Sequence, residues 1–306
     1  MQVAVMTRAA RMVFGLMLMI VTAPLCAAEP LTVYTVNYPL QYFAQRIAGE
    51  HAKVIFPAPD DVDPAFWVPD RQTVLAYQGA DLIMLNGADY AGWVKKVSLP
   101  RLRLVDTSVS FRQDLIDVQD TVTHSHGGEA AHSHSGRAFT TWLDFELAVM
   151  QARALTEALS RKRPEHRQDF ESNFERLRQD LRALDDALSQ VLSGLQPPRL
   201  FASHPVYQYL ARRYQVVVKS MVWEPGILPA EQQWQSLRGF QENFSAELML
   251  WEKPALPQTM QRLRAMGIES VVFDPCANRP GQGDFLDVMR ANIANLERVV
   301  RTDTAP

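Results

Sequence analysis

Cysteine is scarce in this sequence, whose 306 residues include only Cys26 and Cys276. Cys26 lies in an N-terminal stretch with the features of a cleaved export signal. The processed chain would then keep one thiol, which excludes an intrachain disulfide. We expect Cys276 to be a buried structural residue. Its position directly after Asp274 and Pro275 leaves a role in a binding site open.

The sequence also lacks the short motifs that mark common catalytic sites. It contains no nucleophile elbow, no P-loop, no dinucleotide-binding glycine fingerprint and no His-Glu-x-x-His helix. We therefore predict that the protein is not an enzyme. Positive charge is not in excess either. Two of the 31 basic residues and none of the 34 acidic residues precede Glu29, which leaves the rest of the chain with a net charge of −5. This balance argues against nucleic acid as a partner.

Long apolar runs are missing apart from one near the N-terminus, Met12–Val21. Two arginines precede this run and small residues follow it. The run is too short to span a bilayer, and its layout predicts a secretory signal peptide over residues 1–28, cleaved before Glu29. Pro24 and Leu25 occupy positions where a lipoprotein signal needs small residues. We therefore expect a soluble periplasmic protein rather than a lipid-anchored one.

Short β-rich runs alternate with helical periods in two parts of the chain. The first part runs from Leu31 to Asn86, and the same alternation returns after Pro198 and ends with a helix over Phe285–Val300. This βαβ patterning predicts an α/β protein with two lobes. We place the N-terminal lobe at residues 29–145 and the C-terminal lobe at residues 197–306, each long enough for its own core.

A long amphipathic segment separates the two lobes. Apolar residues recur from Phe170 to Leu195 at alternating steps of four and three. Pro164 suits a first helical turn and Gly194 a C-terminal cap. One helix of roughly 45 Å is predicted here, within a helical linker over residues 146–196. A coiled-coil dimer seam is the alternative, but the stripe ends after about four heptads, so we expect a monomer.

Histidine is concentrated in one loop, residues 123–135, which holds four of the seven histidines in a doubled His-Ser-His pattern: His124, His126, His132 and His134. In an extended chain, residues two apart face the same side, so each pair can turn both imidazoles toward one ion. Imidazole suits zinc, copper and nickel better than calcium or magnesium. The loop is therefore predicted to contact a transition metal. A solvated loop that binds metal only in excess is the alternative.

Two further candidate ligands follow predicted strands of the C-terminal lobe. His204 comes after Leu200–Ser203, and Asp274 comes after Val271–Phe273. Open α/β sheets usually bind ligands at the carboxyl ends of their strands. We therefore predict that both residues are metal ligands.

Other acidic residues have commoner explanations. Glu224 and Glu252 also lie at predicted strand ends, where we expect capping or ion-pair roles rather than metal ligation. Asp60, Asp61 and Asp63 lie in a Pro-rich loop, where turn formation explains aspartate as well as cation binding does.

Several short landmarks occur in a specific order along the chain: Tyr38-Pro39, Asp63-Pro64, Ala80-Asp81-Leu82, Asn86-Gly87, the His-rich loop, Trp142-Leu143-Asp144, Ser203-His204, Glu224-Pro225 and Asp274-Pro275. As a set they resemble cluster A-I, the zinc- and manganese-type periplasmic binding proteins of ABC importers. The likeness covers nearly all of the chain after residue 28. It implies two α/β lobes joined by a long linker helix, a metal site in the interlobe cleft, and the membrane permease of an ABC importer as partner.

The resemblance implies four metal ligands, of which this sequence keeps two. The ligand that follows the first strand of the second lobe falls on His204, and the ligand late in the chain falls on Asp274. At the other two positions, after the Asp-Pro of the first lobe and two residues before the Trp-Leu-Asp, stand Ala65 and Thr140. Neither is a zinc-grade ligand. We therefore expect one or two loop histidines to complete the site, the alternative being weakened or lost metal binding.

Together these observations predict a periplasmic solute-binding protein that captures a transition metal and delivers it to an ABC importer. Zn²⁺ is the first choice and Cu²⁺ and Ni²⁺ are alternatives, whereas imidazole donors with a single carboxylate argue against Mn²⁺. Two other functions stay open. One is a periplasmic metal chaperone or buffer without a transporter. The other is binding of a metal chelate or small organic solute in a cleft lined by Phe66, Trp67 and Trp223.

Overall fold

A computed structural model describes residues 29–118, 123–124, 132–133 and 136–300, with side chains described over 29–118 and 136–300. The predicted signal peptide, residues 1–28, lies outside the described residues. Within the described ranges, no helix combines the length and apolar character needed to cross a membrane.

The N-terminal lobe is built on a four-stranded parallel sheet with two helices. Its elements are β1 Leu31–Thr35, α1 Tyr38–Ala48, β2 Ala52–Ile55, α2 Arg71–Gly79, β3 Leu82–Leu85 and β4 Leu104–Asp106. The strands pair in the order β2-β1-β3-β4. Local sequence sets the helix starts, because the Asn37 side chain accepts from the Leu40 amide at 3.1 Å and Asp70 accepts from the Thr73 amide at 2.7 Å.

Four two-residue strands follow. The first and last flank the His-rich loop at its base, and the other two lie within the loop. They are β5 Asp117–Val118, β6 Thr123–His124, β7 His132–Ser133 and β8 Gly136–Arg137. β5 pairs with β8 and β6 with β7, both antiparallel. The second pair places His124 opposite His132 in the ladder. One histidine from each half of the doubled His-Ser-His pattern is therefore paired across this ladder.

The linker consists of two helices, α3 Phe145–Lys162 and α4 Arg167–Ser193. The single helix predicted from Pro164 begins later, because residues 164–166 form a 3-10 turn. With 27 residues, α4 is roughly 40 Å long. Its apolar stripe is buried against α1, α3 and the C-terminal helix of the same chain. The coiled-coil alternative is therefore wrong, since this stripe already fills the chain's own core.

The C-terminal lobe repeats the architecture of the first. Its elements are β9 Arg199–Ala202, α5 Gln208–Arg213, β10 Val217–Ser220, α6 Glu231–Phe244, β11 Leu248–Trp251, α7 Pro257–Ala265, β12 Glu269–Val272 and α8 Phe285–Val300. All strands are parallel, in the order β10-β9-β11-β12. Each sheet thus places its second strand at one edge and its fourth at the other. The predicted α/β fold with two sheets and a long intervening helix is confirmed.

Candidate metal centre

A cleft of about 620 Å³ lies between the lobes, at the carboxyl ends of β2 and of all four C-terminal strands. The edge of a parallel sheet where the strands end is the usual ligand position in α/β proteins. Six acidic side chains line the cleft: Asp60, Asp61, Asp63, Glu224, Glu252 and Asp274. Lys253, Arg279 and His204 are the basic residues among its lining. The cleft is therefore electronegative, a property that attracts cations.

His204 occupies the position after β9 that the sequence predicted. Its side chain is 2% exposed, and both ring nitrogens face carboxylates. Nε2 lies 3.2 Å from Oε1 of Glu224, and Nδ1 lies 3.1 Å from Oε1 of Glu252. The two glutamates follow β10 and β11, the strands on either side of β9. Glu224 and Glu252 thus form the expected ion pairs, and their partner is His204, a candidate metal ligand.

Charge and burial act in opposite directions on His204. Burial disfavours the imidazolium, but the hydrogen bonds and negative charges of Glu224 and Glu252 outweigh it and raise the pKa of His204 to about 9. At neutral pH the metal-free protein therefore holds a charged imidazolium between two glutamates. A metal ion must displace a proton to reach a ring nitrogen.

One imidazole can give a metal only one of its two nitrogens, because their lone pairs diverge. If the metal takes the nitrogen that faces one glutamate, that glutamate is placed to share the metal. The other glutamate then holds the remaining ring N–H and fixes the ring orientation, an arrangement common around metal-bound histidine. The pair of glutamates can thus serve as one ligand and one orienting group.

Asp274 follows β12 in the same cleft, as predicted. Its amide donates to Oδ1 of Asn292 at 2.9 Å, and its own Oδ1 accepts from the Cys276 amide at 2.7 Å. Burial and the charge of Glu252 raise the pKa of Asp274. Cys276 is buried, in agreement with its predicted structural role. Burial likewise raises the pKa of its thiol, which makes the thiolate unfavourable there.

Ala65 and Thr140 offer no ligand in the structure either. Ala65 is 8% exposed and belongs to the N-terminal core. The Thr140 hydroxyl donates to the carbonyl of Val206 at 2.5 Å. This bond joins the end of the His-rich loop to the segment that follows His204.

The loop histidines are described only in part. His124 and His132 are known by their backbone pairing, whereas His126 and His134 lie outside the described residues. The base of the loop is defined, however. Val118 and Arg137 border the same small hollow as Pro205 and Val206.

The aromatic lining that the chelate or solute alternative invoked is wrong for all three residues. Phe66 and Trp67 pack against the N-terminal core. Trp223 is 1% exposed and packs on Trp234 with ring centroids 4.7 Å apart. None of the three is among the residues that line the cleft. The cleft is lined mainly by charged side chains, so it lacks the aromatic surface that this alternative assigned to a metal chelate or small organic solute.

A clamp beside the cleft was not predicted from the sequence. Arg279 donates from Nε to Oδ1 of Asp60 at 2.8 Å and from its two terminal nitrogens to the carbonyls of Phe56, at 2.6 Å, and Ala58, at 2.5 Å. Asn278 donates to the carbonyls of Pro59 and Val62. These bonds tie the segment after Asp274 to the N-terminal lobe. No local motif signals them, because their partners lie more than two hundred residues away.

Replacing Arg279 with alanine is expected to lower the free energy of unfolding by about 1–3 kcal/mol, because two carbonyls and a carboxylate lose a charged donor. For a chain of this size that corresponds to a fall in melting temperature of about 2–4 °C per kcal/mol. Thermal unfolding of the chain from Glu29 measures this fall in melting temperature.

Arg290→Ala is the matched control, since among the described residues Arg290 forms an exposed ion pair with Asp287 within α8, and the substitution should cost under about 0.5 kcal/mol. Equal losses for the two variants would show that the clamp does not stabilise the lobe contact.

Comparison with known proteins agrees with this architecture. A family model described as ZnuA, zinc-uptake complex component A, periplasmic, matches residues 33–299. The chain is 22% identical over 280 residues to the high-affinity zinc uptake system protein ZnuA of Bacillus subtilis, covering 88% of this chain and 87% of that protein. It is also 22% identical over 282 residues to the zinc-binding lipoprotein AdcA of Streptococcus pneumoniae. That match covers 88% of this chain but 55% of AdcA, so the chain spans about half the length of this relative.

Solved structures show the same fold. The metal-dependent lipoprotein YcdH from Bacillus subtilis superposes with a TM-score of 0.75 at 19% identity, covering 88% of this chain and 98% of YcdH. The Zn(II)-bound AdcA from Streptococcus pneumoniae superposes with a TM-score of 0.72 at 19% identity, covering 89% of this chain and 58% of AdcA. The resemblance to cluster A-I is thereby confirmed. Since the family model spans most of the sequence and the two-lobed fold agrees with it, the chain belongs to the ZnuA family of periplasmic zinc-uptake components.

Proposed function

We propose that this protein captures Zn²⁺ in the periplasm and delivers it to the membrane permease of an ABC importer. The observation that carries the proposal is the buried imidazole of His204 between two glutamates, in a cleft lined by six carboxylates. Zinc takes nitrogen and carboxylate ligands in four-coordinate sites. Membership of the ZnuA family supports zinc as the cargo and the importer as the partner.

His204 and Asp274 are the proposed cleft ligands, with Glu224 or Glu252 as a third donor. The glutamates change one argument made from the sequence. A single carboxylate argued against Mn²⁺, but a site with several carboxylates is also acceptable to Mn²⁺. Mn²⁺ is therefore the metal to compare with Zn²⁺ in binding experiments.

We also propose that the His-rich loop completes the site with one or two of its histidines. The base of the loop supports this, because Thr140 and Arg137 lie beside the residues that directly follow His204. From that base, half of residues 119–135, about eight residues, can reach out by up to about 26 Å, since an extended chain covers about 3.3 Å per residue. The β6–β7 pairing places His124 opposite His132, so one histidine from each half of the pattern is near the other, as a shared metal would require.

The loop is tested by competition between the protein and a zinc chelator. We expect the chain from Glu29 to hold one equivalent of zinc against the chelator. Replacing all four loop histidines with serine should weaken this binding by about tenfold or more, as loss of a zinc ligand or its support does. Replacing Ser125 and Ser133 with alanine changes the same loop without removing an imidazole, and affinity should be unchanged. Full affinity in the histidine-free loop would confine the ligands to the cleft.

A periplasmic chaperone or buffer is the second candidate function. It is favoured by Ala65 and Thr140, which leave the cleft with fewer histidines than the resemblance implies. Zinc uptake by cells separates the two functions. A strain lacking this protein should lose high-affinity uptake if the importer proposal holds, and should keep it if the protein only buffers zinc.

A further inference from the structure

A second group of metal-type side chains lies away from the cleft. His51 is the last residue of the turn between α1 and β2, and His166 and Asp169 lie at the start of α4. The cleft is at the carboxyl end of β2, whereas His51 directly precedes β2. The group is therefore at the opposite end of the N-terminal sheet from the cleft.

The geometry of this group is close to that of a metal site. One nitrogen from each histidine and one oxygen of Asp169 all lie within 4.8 Å of one another. Oδ2 of Asp169 is 3.2 Å from Nε2 of His51 and 3.8 Å from Nδ1 of His166. Tetrahedral zinc with bonds of 2.0–2.2 Å places its ligand atoms about 3.3–3.6 Å apart. The observed separations bracket this range.

The hydrophobic core fixes the ring of His51, whereas the side chains of His166 and Asp169 have room to change position. The His51 ring packs edge-on against Phe170, which is fully buried, with centroids 5.6 Å apart. The His166 ring stacks on His51 at 3.7 Å with an angle of 16° between the planes. Ring-nitrogen lone pairs lie in the ring plane, so one ring must tilt for both to reach the same ion. His166 is 33% exposed and Asp169 is 61% exposed, which leaves them room to move.

We propose that His51, His166 and Asp169 form a second binding site for Zn²⁺ or a similar divalent transition metal. Two imidazoles and one carboxylate are a donor set that such metals accept. His51 and Asp169 line an open hollow together with Glu50, Asn173 and Arg176, and His166 is partly exposed beside them, so water can complete the coordination. A site open on one side exchanges its metal readily, unlike a closed structural site.

A metal at this position would join two parts of the fold. His51 belongs to the turn of the N-terminal lobe, whereas His166 is the residue that caps the long helix α4 and Asp169 lies in its first turn. Binding would therefore brace the N-terminal lobe against the linker. A ligand that binds the folded state alone raises its stability in proportion to ln(1 + [metal]/Kd), so unfolding temperature should depend on zinc concentration.

The histidine inventory of the chain allows a clean test. Of the seven histidines, four lie in the loop and one is His204. When the loop histidines are replaced with serine and His204 with alanine, His51 and His166 are the only histidines that remain in the sequence. In this background, zinc titration should still show one equivalent and a rise in unfolding temperature. Co²⁺ should give the visible absorption of a low-coordinate nitrogen and oxygen site. This result does not depend on capture in the cleft, because the background removes His204 and leaves the cleft with carboxylate donors and no imidazole.

Three substitutions in that background decide the question. His166→Ala should abolish the bound equivalent, and Asp169→Asn should weaken it by about tenfold. Glu165→Gln is the charge-matched control, because Glu165 is an exposed neighbour on the same turn, and it should bind zinc as the parent does. Zinc binding that is unchanged by His166→Ala would overturn the proposal.

The full chain provides a second route if the histidine-depleted protein does not fold. There, His166→Ala should reduce the number of zinc equivalents by one and leave the chelator-resistant equivalent in place. An unchanged number would overturn the proposal independently.

Discussion

Replacement of His204 by alanine is expected to lower zinc affinity at least about tenfold. The substitution removes the buried imidazole of the cleft and leaves Glu224 and Glu252 without the cation that separates them. Without that cation, the like charges of the two carboxylates repel each other. Chelator competition at fixed pH, with the chain from Glu29, measures the change.

Two glutamate variants extend this experiment. If Glu224 shares the metal and Glu252 orients the ring, Glu224→Gln should cost more affinity than Glu252→Gln, and the reverse order would exchange their roles. Glu247→Gln removes an exposed carboxylate at the start of β11, at the opposite end of the strand from Glu252, and should leave affinity unchanged. If His204→Ala binds zinc as tightly as the unchanged chain, the cleft is not the capture site.

Replacement of Trp142 by alanine is expected to lower the free energy of unfolding by about 3–5 kcal/mol, the usual cost of removing a buried large aromatic side chain. Trp142 is fully buried, and its indole N–H donates to the carbonyl of Pro275 at 2.7 Å. The residue thus joins the N-terminal lobe to the segment that follows Asp274. Urea unfolding measures the change.

The phenylalanine variant separates packing from hydrogen bonding. Trp142→Phe keeps much of the buried ring but leaves the Pro275 carbonyl without its donor, at a cost of about 1–3 kcal/mol. Because Pro275 adjoins Asp274, zinc affinity should fall as well. Trp67→Phe is the control, since Trp67 is half-buried against the N-terminal core and its cost should be smaller. If the two phenylalanine variants unfold alike, the indole bond does not contribute to the lobe contact.

The two candidate cleft ligands illustrate what strand patterning can predict. His204 and Asp274 were identified because each follows a short apolar run, and a strand that ends there places the next residue at the sheet edge. The same reasoning placed Glu224 and Glu252 at strand ends. It did not reveal that both contact His204, because the order β10-β9-β11 that brings them to its two sides is a property of the sheet.

The aromatic residues show that a neighbour of a cleft residue in the sequence need not line the cleft. Trp223 is adjacent to Glu224, which lines the cleft, but successive residues of an extended segment face opposite sides. Trp223 accordingly packs on Trp234 in the C-terminal core. Phe66 and Trp67 follow the aspartates of the Pro-rich loop in the same way, yet they pack inward.

The sequence by itself determined the elements whose causes are local. Apolar periodicity specified the α/β lobes and the long helix, capping residues such as Asp70 set helix starts, and the spacing of the loop histidines indicated metal chemistry. Tertiary structure decided the contacts between distant segments: two glutamates around His204, Arg279 against the N-terminal lobe, and His51 beside Asp169, which is 118 residues away. The physical reason is that periodicity reports which face of an element is buried, whereas the partner on that face depends on how the whole chain packs.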